Sequence, residues 1–107
     1  MKQMIWLSFD LGIRADYEGM YQFLDSHGAK ECGNGTAALS FEYEGDLLSK
    51  LKAELTDAVT FDKRDRVYVV YHTEDKKPHG RFIVGKRKQA AWTGYGVQTA
   101  DEEDIGE

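Results

Sequence analysis

"RVYVVYH", residues 66–72, is the stretch whose reading decides the fold. It is β-branched and aromatic almost throughout, the composition of a strand. Successive side chains point to opposite faces, so Val67, Val69 and Tyr71 go one way and Tyr68, Val70 and His72 the other. Both sets are largely apolar. A two-layer sandwich covers one sheet face and predicts clean alternation of apolar and polar. A strand apolar on both sides predicts that its second face is also covered, by another copy of the chain or by the C-terminal segment.

Working outward, Ile5, Leu7, Phe9 and Leu11 alternate with Trp6, Ser8 and Asp10, which predicts a first strand. Asp16 then precedes Tyr17, Met20, Tyr21 and Leu24 at helical spacing, with Gly28 as the stop. Asn34-Gly35 separates residues 29–33 from 36–43, a hairpin signal. Asp46 opens a second helix that sets Leu47, Leu48, Leu51, Leu55 and Ala58 on one side. With the 66–72 strand the order is strand, helix, strand, strand, helix, strand. Right-handed crossovers turn that order into an α+β, ferredoxin-like βαββαβ sandwich, an antiparallel sheet with both helices on one face. "TEDKKPHG" (73–80) reads as a turn with His79 at its tip, "RFIVG" (81–85) as an extra C-terminal strand and "QAAWTGYGV" (89–97) as another short one. Residues 1–97 are expected to form one domain and 98–107 a disordered acidic tail.

Composition narrows the classes. At 107 residues, 41% apolar and 12% aromatic, the chain is a folded protein with a single core. No apolar run approaches the roughly 20 residues of a membrane span. The start "MKQMIWLSFD" has no small-residue cleavage site and reads as no signal peptide. Cys32 is alone, which excludes an internal disulfide or a cysteine-based zinc site. A cytoplasmic location is the expectation.

The net charge of −5 hides a segregation. Residues 1–75 hold 8 bases against 14 acids, and "DEEDIGE" (101–107) adds five acids. Lys76, Lys77, Arg81, Lys86, Arg87 and Lys88 fall in one run without an acid. Such a run attracts a polyanion despite the acidic average. It is also what a solvated hairpin with lysines guarding a sheet edge would carry.

Two resemblances follow from the strand order. The RNA-recognition motif has its signature strands at the positions of 5–11 and 35–43, and "GTAALSF" (35–41) follows the skeleton of its longer signature. Its two base-stacking aromatics fall here on Thr36 and Ala38, so the stacking platform of that family is missing. The chain also resembles the small CRISPR-associated adaptation nuclease family and its free-standing SinR-like relatives. The matching stretches are "LSFDLG" (7–12), "DRVYVVYH" (65–72) and "AAWTGYG" (90–96). That resemblance implies a ferredoxin-like homodimer, with Trp6, Tyr68, Val70 and Trp92 as expected interface residues. It further implies a divalent Mg²⁺ or Mn²⁺ held by Asp10 and its twin for phosphodiester cleavage of RNA or DNA, with Ser8 beside it. The sequence departs from the family in the longer "TEDKKPHGRFIVGKRK" and in having no basic residue next to Asp10, Arg14 being the nearest along the chain. Asp10 as an ordinary turn residue before Gly12 is the alternative.

The expectation is a dimeric nucleic-acid-binding protein, metal-dependent at Asp10 if catalytic. The basic run would contact phosphates. The competing reading is a non-catalytic module that binds a protein partner, antitoxin-like or an assembly scaffold, with the acidic tail as a second element of binding.

Overall fold

The computed structural model describes residues 1–96, so the acidic tail and its expected disorder lie outside the described residues. The elements are β1 (Lys2–Asp10), α1 (Tyr17–Ser26), β2 (Lys30–Gly33), β3 (Thr36–Glu42), α2 (Leu47–Ala58), β4 (Arg66–His72) and β5 (Pro78–Val84). One five-stranded sheet runs β2-β3-β1-β4-β5, and the paired strands are antiparallel throughout. This is the α+β order expected, with β5 added beside β4.

Each helix begins where the sequence marks it. Asp16 accepts from the Gly19 amide with one carboxylate oxygen and from Thr60 with the other, both at 2.9 Å. The Thr60 bond, then the Gly19 bond, holds its carboxyl below the ordinary carboxylate range. The same residue thus caps α1 and ties it to the chain leaving α2. Asp46 caps α2 through the Ser49 hydroxyl and amide, which lower its pKa in that order. The first helix ends as expected, with the Gly28 amide on the Asp25 carbonyl and Ala29 on Leu24.

The core lies between the helices and one sheet face. Ile5 and Leu7 of β1, Leu39 and Phe41 of β3, and Val67 and Val69 of β4 meet Met20, Phe23, Leu51 and Leu55. The pleat that buries these residues turns Met4, Trp6, Ser8 and Asp10 onto the opposite, open face. Thr36, Ala38, Arg66, Tyr68, Val70 and Phe82 share that face by register.

Two sequence expectations need correction. The fifth strand starts at Pro78, three residues before "RFIVG", because a proline without an N–H fits the first position of an edge strand. Residues 89–96 form no strand. Turns occupy 91–94, with Thr93 bonded back to Ala90 and Tyr95 to Trp92.

Candidate nucleic-acid interface

The site is built where β1 ends and β4 begins. In an antiparallel pair the end of one strand faces the start of the other, and Asp10 lies opposite Arg66. Arg66 Nη2 donates to Asp10 Oδ2 at 2.6 Å, with the guanidinium side chain 22% exposed and the carboxylate 60%. This corrects the expectation that no base stands beside Asp10: the neighbour comes across the sheet, not along the chain. It also removes the turn reading. The carboxylate that accepts from the Gly12 amide is that of Asp65, at 2.9 Å.

Asp65 is 1% exposed and accepts a second backbone bond from Asp62, also at 2.9 Å. It therefore joins the loop after β1 to the loop before β4, which fixes the ends that carry Asp10 and Arg66. A buried carboxylate is tolerated where backbone donors satisfy it in this way.

Beyond β5 the chain turns back at Gly85, whose φ is +75° and whose absent side chain leaves room for the Asp65 carbonyl and the Arg66 stem. The turn carries Arg87 over the open face. Its guanidinium lies 5.3 Å from the Phe82 ring centre and 5.7 Å from that of Tyr68. Tyr68 and Phe82 meet edge to face at 4.8 Å, a favourable arrangement of ring quadrupoles. Gly80 makes this possible, since any side chain there would collide with the Tyr68 ring.

Two clefts result. One, of about 290 Å³, is lined by Ser8, Asp10, Arg66, Tyr68, Phe82 and Arg87. The next, of about 510 Å³, is lined by Lys63, Arg64, Arg66, Lys86, Arg87 and Lys88 with Gly85. They share Arg66 and Arg87. Among the described residues, Arg66 is the only one of these six cations in an ion pair.

The basic run read from the sequence is thereby divided. Lys86, Arg87 and Lys88 join Lys63, Arg64 and Arg66 at the base of the β4–β5 ribbon. Lys76 and Lys77 sit in the turn at its far end, about 20 Å away along seven-residue strands. Arg81 pairs with Val69 and so belongs to the side of the sheet opposite Tyr68 and Phe82. Lys63, Arg64 and Arg66 were missed in the sequence; the signal was their position directly before and at the start of the strongest strand.

Of the expected interface residues, Trp6 and Val70 lie side by side in the middle of the open face, and Trp92 is 78% exposed. Tyr68 is instead covered by Arg87. Thr36 and Ala38 do face the open side, opposite Ser8 and Trp6, and bring no ring.

The residues of one chain do not by themselves fit a divalent ion. Asp10 brings one carboxylate, and Arg66 is bonded to it. Among the described residues no three His, Cys, Asp or Glu side chains gather as a ligand set. Hard cations of this kind take about six oxygen ligands, with carboxylates not already paired to a guanidinium. No helix of the described residues is long and apolar enough to cross a membrane. No family model, curated protein or solved structure matches the chain.

Proposed function

We propose that this chain binds nucleic acid through the base of the β4–β5 ribbon. The observation that carries the reading is the convergence of six cations from two separate segments, 63–66 and 86–88, on one cleft beside an aromatic pair. Phosphates are contacted by such clusters without sequence readout, and flat rings take unpaired bases. Arginines stacked on rings, as Arg87 is, are common where a strand's backbone and bases run side by side.

Binding of a labelled single strand, titrated at several salt concentrations, tests this. Each neutralised phosphate contributes about 0.7 to the slope of log affinity against log salt on single strands. A slope of about −2 or steeper is expected. Affinity that does not change with salt would overturn the reading.

A homodimer is the second part of the proposal, favoured by the exposed strip of Met4, Trp6 and Val70 on the open face. Exposed apolar strips of this kind mark protein contacts, and two-fold pairs are the commonest assemblies. The mass in solution of the parent and of Trp6→Glu decides it: a dimer that becomes a monomer supports the strip, and a monomeric parent removes it.

A further inference from the structure

We infer that the smaller cleft holds one unpaired guanine, with Asp10 reading its Watson–Crick edge and the neighbouring cations holding the attached phosphate. This rests on the nucleic-acid reading above and names the base that the site selects.

The cleft of about 290 Å³ is near the small end of ligand pockets and suits one planar ring system. Its wall is the Tyr68–Phe82 pair, now covered by the Arg87 guanidinium. A flat cation over two rings occupies the place a base would take by stacking, and it is released toward the phosphate when a base replaces it. Across the cleft, Arg66 fixes Asp10 through Oδ2 alone. Oδ1 takes no hydrogen bond among the described residues, and Asp10 is exposed. A carboxylate so held is an acceptor-only edge of two oxygens.

Only one common base answers that edge with adjacent donors. Guanine offers N1–H and N2–H₂ side by side. Adenine and cytosine each offer one amino group beside an acceptor nitrogen, and uracil offers N3–H between two carbonyls. Ser8, opposite Tyr68 in register, supplies a hydroxyl on the same wall. Arg66 is a positioning residue here: it orients the carboxylate and extends into the cationic cleft, where the phosphate attached to the base would sit.

The test is anisotropy of a labelled short oligouridylate carrying one central guanosine, compared with the same strand carrying adenosine, inosine or uridine there. The full chain is used. Bidentate base contacts discriminate strongly, so the guanosine strand is expected to bind at least about tenfold tighter than the others. Inosine keeps N1–H and loses the amino group, and should fall between guanosine and adenosine. In Asp10→Asn the guanosine preference should vanish while the all-uridine strand binds as well or better, since one negative charge has left the cleft. Equal binding of the four strands to the parent chain, with a normal salt slope, overturns the guanine pocket and leaves the nucleic-acid reading intact. Failure of every strand to bind overturns both. Competition by 5′-GMP at concentrations similar to the oligonucleotide would identify a free guanine nucleotide as the occupant, and weak competition a guanosine within a strand.

Discussion

The β4–β5 ribbon carries lysines and arginines at both ends, and the ends differ in what the rest of the chain adds. At the tip, Lys76 and Lys77 follow Glu74 and Asp75, so the charge is locally balanced. The turn is held by its own residues: Lys76 bonds back to Thr73, and Asp75 accepts from the Lys77 amide and the Thr73 hydroxyl. At the base, a buried carboxylate and a glycine turn bring a second segment alongside, and cations remote in sequence become neighbours. The tip is a solvated turn with charges on it. The base is a surface made by tertiary structure.

Removing Asp65 is the strongest way to break the contrast. Asp65→Ala leaves the Gly12 and Asp62 amides without an acceptor in a buried position, which should cost on the order of 2–3 kcal/mol in a urea unfolding titration. A loss below about 0.5 kcal/mol, the scale of an ordinary surface change, would mean that the base is not pinned as described.

The comparison sharpens when charge is removed at each end separately. Replacing Lys86, Arg87 and Lys88 by alanine should flatten the salt slope of nucleic-acid binding by about two units or more. Replacing Lys76 and Lys77 should leave it within about half a unit. Equal losses would show that the ribbon acts as one basic arm, as its sequence suggested.

That suggestion failed for a physical reason. Charge along a chain becomes a surface only through register and turns, and neither is written in composition. The strands, the helices and both N-caps were legible, because period and capping chemistry are local. Asp10 was legible as a candidate and its partner was not: Arg66 is 56 residues away along the chain and adjacent across the sheet. The antiparallel order already implied that the end of β1 meets the start of β4, so the pairing was within reach of the topology. The aromatic pair was not, since Tyr68 and Phe82 meet through a β4–β5 pairing with a register shift beside it. The "AAWTGYG" stretch misled in the other direction, as its β-forming residues sit in turns.

Smaller effects probe how each end is held. Gly80→Ala would push a methyl group into the Tyr68 ring, and displacing it should cost about 1–2 kcal/mol as well as loosening Arg87. An unchanged unfolding midpoint would mean that Tyr68 has room to move aside. The tip answers to acid instead. The Thr73 hydroxyl, then the Lys77 amide, holds the Asp75 carboxyl below its ordinary value of 3.8. A carboxylate lowered on folding stabilises the fold above the unfolded value and loses that contribution as pH falls through the folded one. Exchange of the Lys77 amide, corrected for intrinsic rate, should therefore hold steady above about pH 5 and accelerate below pH 3.8.

The smallest expected effect separates the ends most cleanly. Lys76 stands at φ +63°, the only described residue other than glycine with a positive value. A side chain with a Cβ costs about 1 kcal/mol in that conformation, and glycine gives back part of the gain through its freer unfolded chain. Lys76→Gly should thus raise stability by a few tenths of a kcal/mol, readable as a small upward shift in the urea midpoint. It also removes one tip cation. If nucleic-acid affinity and its salt slope stay where they were while stability rises, the tip contributes turn geometry and the base contributes binding. A measurable fall in affinity from this one change would place Lys76 on the bound strand and erase the distinction between the two ends.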